Sequence, residues 1–272
     1  MIETSAPYLA AAHAFDQLAE SYDALFTESL IGQAQRAAVW KYADKIFSPG
    51  SRILELNCGT GVDAIHFARR GCDVTACDIS PAMVAHAECK AAASNLFHQP
   101  NFYVQAIESI GEIPHDGPFD AAFSNFSGLN CVQDISRIAR ALAQLLCPKS
   151  SLLFCLSTRF CAWEMAWYLL RGDFTRAFRR CRGFHQTKLG GVTFPVYYPI
   201  LAQIRRSFEP EFKVVSVRGI GLTVPPSYVE PWIARYPKLL HRLEQVDAAI
   251  CALPWFRVLG DHMLVHLERR SS

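Results

Sequence analysis

RILELNCGTG, residues 52–61, runs from the apolar core of a strand into a turn. Ile53, Leu54 and Leu56 read as a buried strand, and Gly59 and Gly61 as the turn that ends it. VDAIHFARR, from Val62, then opens an amphipathic helix. CDVTACDIS is a second apolar strand that ends on an acid, Asp78. Strand, glycine turn, helix, strand and terminal acid together describe a βαβ unit that binds a nucleoside. The glycines let the backbone come close to a ligand, and the free amides at the helix start attract negative charge. Asp78 is placed to accept hydrogen bonds from two ribose hydroxyls.

GTGVDA also satisfies the looser dinucleotide fingerprint G-x-G-x-x-A. Glu55 argues against a dinucleotide, because a carboxylate at the end of the first strand repels a pyrophosphate. S-adenosylmethionine (SAM) has no phosphate and carries an ammonium and a sulfonium, so an acid beside the loop favours it. A carboxylate at the end of a core strand with no ligand to meet is costly, which disfavours a turn of purely structural purpose.

These residues resemble the class I SAM-dependent methyltransferases. The family pattern E-x-G-x-G-x-G falls on Glu55, Asn57, Gly59 and Gly61, with Asn57 in place of the first glycine. Asparagine tolerates a left-handed backbone better than other residues with a side chain, so the turn survives the exchange. The resemblance spans residues 12–156 well. It implies a Rossmann-like, seven-stranded, mostly parallel α/β sheet with helices on both faces and an antiparallel last strand. It also implies that Leu56, Cys58, Ile79 and Ala106 line the cofactor site. FDQLAESYD (Phe15–Asp23) is similar to the N-terminal helix of the small-molecule branch, which includes the ubiquinone and menaquinone C-methyltransferases. There an aromatic at the position of Tyr22 covers the cofactor; an ordinary amphipathic helix is the alternative for this segment.

The alternation of strands near 52–57, 73–78, 101–105, 119–125 and 151–156 with helices at 62–70, 81–93 and 132–146 gives a parallel sheet covered on both faces. Ser80 and Pro81 form a helix start, as N-cap and first helical residue. By resemblance Met83 lines the adenine pocket, unless it serves only core packing. On the third strand the family's acid falls at Ile107, with Glu108 one residue later, so adenine recognition rests either on backbone groups or on Glu108 after a one-residue shift. The fourth strand ends at Asn125, where ligands collect on such sheets. Asn125 meets the cofactor, orients a substrate or merely forms a turn. No Pro-Pro-aromatic follows it, which opposes methylation of nucleobase or glutamine amino groups.

At 272 residues with 51% hydrophobic and 19% charged content, the chain suits a globular protein with a full core. A net charge of +2 is weak for a nucleic-acid enzyme. The ten cysteines are scattered with no C-x-x-C pair, so no zinc site and a reducing, cytoplasmic setting are expected. MIETSAPYLAAAHAF has Glu3 and no basic cluster before an apolar run, unlike a signal peptide. No apolar run approaches the ~20 residues of a membrane span.

One methyltransferase domain is expected over 1–272, with a helical cap at 1–48 and lid insertions at 157–198 and 222–260. The insertions hold four of the five tryptophans. Both leave the carboxyl edge of the sheet, and their apolar content suits a water-poor pocket for a hydrophobic substrate. Trp163, Trp167, Tyr197, Tyr198 and Trp232 are the expected pocket residues, unless the segments pack on each other or on a second copy. Methyl transfer is an in-line displacement that needs a base only where the nucleophile loses a proton. His185, near Tyr197 and Tyr198, is the preferred base. The leading expectation is a SAM-dependent methyltransferase of a small hydrophobic or aromatic metabolite, monomeric or homodimeric. A methyltransferase of RNA or protein and a SAM-binding protein without turnover are the competing readings.

Overall fold

The computed structural model describes residues 6–271. Residues 1–5, which include Glu3 and the start of the N-terminal segment, lie outside the described residues. In chain order the elements are α1 (Ala6–Tyr22), a π turn (Asp23–Thr27), α2 (Leu30–Ala43), β1 (Arg52–Leu56), α3 (Val62–Arg69), β2 (Asp73–Asp78), α4 (Pro81–Ala92) and β3 (Asn101–Val104). β4 (Phe119–Ser124), α5 (Ile135–Leu145) and β5 (Leu146–Ser157) complete the first half. There follow α6 (Ala162–Leu169), α7 (Phe174–Ala177), β6 (Phe184–Leu189), β7 (Val192–Tyr197), α8 (Leu201–Phe208) and β8 (Phe212–Ile220). α9 (Glu230–Ile233), α10 (Pro237–Ile250) and β9 (His262–Arg269) complete the described elements.

Seven strands form one sheet in the order β3-β2-β1-β4-β5-β9-β8, and β6 pairs only with β7. β1 to β5 are parallel neighbours, while β9 runs antiparallel to both β5 and β8. This is the sheet expected from the sequence, including the reversed last strand. Its consequence lies in the register. Ser157, the last residue of β5, pairs with His262, the first of β9, and His262 also pairs with Ile220, the last of β8. The reversed strand therefore begins on the same edge where β1, β4 and β5 end.

Side-chain alternation assigns the two faces. Leu54 and Leu56 pack with α5, whose Ile135, Ile138, Ala139, Leu142 and Leu145 are buried at helical spacing. Ile53 turns to the other face, where Phe47, Phe67 and Phe123 meet edge to face with centroids 4.9–6.1 Å apart. Glu55, two residues on from Ile53, faces that second layer too, toward α2 and α3.

The two insertions part company. In the first, β6 and β7 form a hairpin around Gly190 and Gly191, both at positive φ (56° and 80°). A Gly-Gly pair between two alternating runs is a hairpin signal that the reading from sequence passed over. Leu189, Val192, Phe194 and Val196 of this hairpin pack on Ala11, Ala14 and Phe15 of α1. The second insertion instead makes its own small core, in which Val224, Val229, Ile233 and Leu240 surround Ile31 of α2, with Trp167 alongside. The expected second lid is thus corrected to a separate cluster against α2, because its apolar helix faces find partners there.

Candidate active site

A cavity of about 380 Å³ opens at the carboxyl edge of the sheet, floored by the turn after β1 and the end of β2. Asn57 has φ 56°, the left-handed conformation expected of the residue that replaces a glycine. Gly59 donates its amide to Asp78 Oδ2 and Ser80 donates to Asp78 Oδ1, each at 2.9 Å. The Asp78 carboxylate is thereby fixed, with lone pairs left for further donors. A Cβ placed on Gly59 would meet nothing within 4 Å, so the backbone there borders open space. At Gly128 the reverse holds. A Cβ would lie 2.4 Å from that of Asn57, and only glycine lets the segment after β4 approach the loop so closely.

The N-terminal helices are pinned to this floor by two acids. Asp16 on α1 accepts from Ser80 Oγ at 2.5 Å and from Ala82 N at 3.1 Å. Asp23, in the π turn, accepts from Thr60 Oγ1 at 2.7 Å and pairs with Lys90. These contacts set Phe15, Leu18, Tyr22 and Phe26 along the cavity wall. π turns recur where a helix is bent to serve a site.

Beneath the loop lies a cluster of charge. Arg36 of α2 pairs with Asp63 in the first turn of α3, and Asp63 also accepts from Trp40 Nε1 at 2.7 Å and Asn125 Nδ2 at 3.2 Å. Glu55 is 1% exposed, and its Oε2 has no hydrogen-bond partner among the described residues. Burial pushes its carboxyl well above the usual range, Asp63 adds to the rise and Arg36 opposes it. Burial raises Asp78 too, against the pull of the Ser80 and Gly59 amides. Asn57 Oδ1 is likewise buried without a partner. Orphaned acceptors and raised acids beside a cavity are what a cationic ligand with donors would relieve.

The opposite wall comes from the C-terminal half. Thr187, Leu189, Phe194 and Val196 of the hairpin face the cavity, and so do Phe126, Arg180, Asp261 and His262. Arg180 is held between two acids, with Nη2 2.8 Å from Glu164 Oε2 and 2.9 Å from Asp261 Oδ1. Phe126 and Ser127 follow β4 with φ of 43° and 71°. Two successive left-handed residues with side chains are a strained arrangement, of the kind found where a site dictates the backbone.

Of the residues expected to bind cofactor, Tyr22, Asn57, Gly59, Asp78, Ile79, Met83 and Asn125 line the cavity. Glu55, Leu56, Cys58, Gly61 and Ile107 sit off its wall, in or beneath the floor, and Ala106 lies off it too, two residues past β3. The five expected substrate residues are all elsewhere. Trp163 donates to Thr223 O at 2.9 Å, Trp167 joins the second insertion's core and Trp232 is 45% exposed beside Tyr236. Tyr197 gives its carbonyl to Asn130 Nδ2 at 2.6 Å, and Tyr198 lies under Arg180. His185 is on the hairpin but outside the cavity wall. Reading from sequence missed Arg36, Asp63, Asp261 and His262. Only the Asp-His pair at the start of the last strand offers a signal in the sequence.

Residues 53–149 match the model of a family described as a methyltransferase domain. A ubiquinone biosynthesis O-methyltransferase of Xanthomonas campestris pv. campestris (strain B100) is 34% identical over 110 residues, which span 40% of this chain and 44% of that relative. The chain thus matches less than half the length of that relative. Among solved structures, the [4+2]-cyclase SpnF superposes with a TM-score of 0.63 at 17% identity, over 96% of this chain and 94% of that one. Magnesium protoporphyrin IX methyltransferase of Synechocystis PCC 6803 with bound SAM superposes with a TM-score of 0.58 at 15% identity, over 100% of both chains. Identities this low carry the fold alone. The glycine loop, the sheet order and the matched segment together identify residues 53–149 as a methyltransferase domain, in a chain with the fold of the class I SAM-dependent methyltransferases.

Proposed function

We propose that the protein is a SAM-dependent methyltransferase acting on a small, hydrophobic or aromatic metabolite. One observation carries this reading: Asp78, locked by the Gly59 and Ser80 amides, stands beside a backbone opening with unpartnered acceptors at Asn57 and Glu55. That set suits a nucleoside with a cationic tail and no phosphate. Asp78 would receive the ribose hydroxyls, Ile79 and Met83 would flank the base, and Arg36 would face the ligand's carboxylate. Tyr22 and Phe26 would shield the ligand from water. Once bound, SAM supplies an electrophilic methyl group on a positively charged sulfur.

The residues of the chain then act mainly by placement. An apolar wall of Phe15, Leu189, Phe194 and Val196 holds an acceptor against the cofactor and excludes water. The ubiquinone biosynthesis O-methyltransferase of Xanthomonas, similar over 40% of this chain, is consistent with a small acceptor. Titration calorimetry with SAM, its demethylated product S-adenosylhomocysteine and NAD tests the first part. SAM and its product should bind, NAD should not, and Asp78→Ala should weaken binding at least tenfold, which is about 1.4 kcal/mol. Tight NAD binding, or unchanged SAM affinity in Asp78→Ala, would overturn the cofactor assignment. Labelled methyl groups should enter the organic-soluble fraction of extracts; incorporation into RNA or protein alone would overturn the acceptor class.

A further inference from the structure

We propose that His262 is the general base of this site and that the acceptor it serves is an aromatic hydroxyl compound, a phenol. The inference rests on the methyl-transfer reading above and deepens it. β9 is antiparallel, so its first residue arrives at the edge where the other strands end, between Ser157 and Ile220. The His262 ring lies in the cavity wall and packs edge-on against Phe126, with centroids 5.3 Å apart at 72°. Phe126 directly follows Asn125 at the end of β4. Asp261 Oδ2 stands 3.6 Å from His262 Nδ1, and Nδ1 makes no hydrogen bond. Asp261 is itself fixed by Arg180 and by its own amide, which donates to Gly221 O at 3.0 Å. A buried carboxylate beside the ring stabilises its protonated form, while Nε2 remains for a ligand.

Elimination points the same way. The other titratable groups in the wall are committed or unsuited. Asp78 holds two amides, Asp261 holds Arg180, and burial raises the phenol of Tyr22 and pushes the thiol of Cys131 up to about 12. The charged groups around His262 are Asp261 on its own segment, Arg180 before β6 with Glu164 of α6 behind it, and Arg36 of α2 beyond Phe126. Burial lowers the imidazole below its ordinary value, with Asp261 opposing and Arg180 assisting, so the ring is neutral near pH 7 and able to accept a proton. No acid in the wall is free to hold a cationic amine, whereas a neutral phenol needs only the base and the apolar surroundings.

The step balances without another reactant. The phenolic oxygen gives its proton to His262 Nε2 and its electron pair to the methyl carbon. The carbon–sulfur bond breaks with its electrons passing to sulfur, which becomes a neutral thioether. The imidazolium left behind faces Asp261 and returns its proton to water as the product leaves.

The test uses 4-nitrophenol, whose anion absorbs in the visible, added to the full chain saturated with S-adenosylhomocysteine at a pH below the phenol's free pKa. Wild-type protein should raise the nitrophenolate band, and His262→Gln should reduce the bound band at least tenfold while calorimetric affinity for S-adenosylhomocysteine stays within twofold. A folding defect in His262→Gln would show as lost cofactor affinity; ring-nitrogen NMR of wild-type protein then decides, since a histidine must become imidazolium as the nitrophenol binds. Absence of the band in wild type, an equal band in His262→Gln, or no new imidazolium overturns the proposal. Failure of S-adenosylhomocysteine to bind wild type would strike the methyltransferase reading itself.

Discussion

The two insertions leave the same edge of the sheet and share an aromatic, apolar composition, yet they do different work. The first turns into a hairpin, and strand alternation sends Thr187, Leu189, Phe194 and Val196 into the cavity. The second turns into short helices whose apolar faces close on Ile31 and on each other, contributing only Ser227 to the cavity wall. Its reach toward the site is indirect. Glu230 on α9 accepts from Leu30 N at 2.7 Å and Ile31 N at 3.0 Å, capping the start of the helix that carries Gln35 and Arg36. One insertion covers the cavity, and the other braces a wall of it. A shared point of departure says where a segment begins; the period of its side chains decides what it touches.

Arg180→Ala should break the contrast most severely. It strands Asp261 as a buried charge and leaves Glu164 to Arg179 alone, at a cost of about 3–5 kcal/mol in urea unfolding. It should also free the hairpin from the sheet edge; a loss below 1 kcal/mol would mean the first insertion is not anchored there. Next comes Leu189→Asp, which places a charge in the apolar wall. It should weaken 4-nitrophenol binding at least tenfold, about 1.4 kcal/mol. Trp232→Asp, on the bracing insertion, should change it less than twofold. Equal effects would erase the distinction between cover and brace.

The floor beneath both insertions gives a third outcome. Glu55 keeps its proton above the usual carboxylate range, so its contribution to folding is fully present below the ordinary value and fades as pH rises through the raised one. A cationic ligand favours the ionised form. Binding of SAM should therefore expel a proton, and affinity should rise with pH until Glu55 is ionised without ligand. Calorimetry in buffers of different ionisation heat measures the release, and Glu55→Gln should diminish it to what Asp78 supplies. Release unaltered by that change would remove Glu55 from the account. The smallest effect belongs to Trp163→Phe, which loses the one indole bond joining α6 to the second insertion, about 0.5–1.5 kcal/mol in thermal unfolding. Nitrophenol binding should not change with it.

The floor was legible in the chain because its signals are local. Asn57, Gly59 and Asp78 lie within one βαβ unit, and the turn chemistry of each can be read from its neighbours. The wall was not legible, because it is assembled across long separations. Arg36 meets Asp63 from another helix, and Arg180 joins Glu164 to Asp261 across the sheet edge. His262 is an ordinary strand residue until the reversed direction of β9 is known to deliver it to the cavity. Aromatic content points to Trp163, Trp167 and Trp232, but large rings also serve to join segments, as Trp163 and Trp167 do here. The hairpin was legible in principle from Gly190-Gly191 between two alternating runs.

The place of β9 has a consequence for how the molecule comes into being. Although it follows every other strand of the sheet in chain order, it sits inside the sheet, with β5 on one side and β8 on the other. Until residues 262–269 emerge, both neighbours present bare edges and the apolar Met263, Val265 and Leu267 are missing from the core they complete. A nascent chain halted just short of this strand would hold a nearly finished nucleoside floor over an open seam, and would be a natural client for chaperones. Assembly of the base and closure of the sheet are thus one event, which ties the birth of the candidate site to residues 262–269.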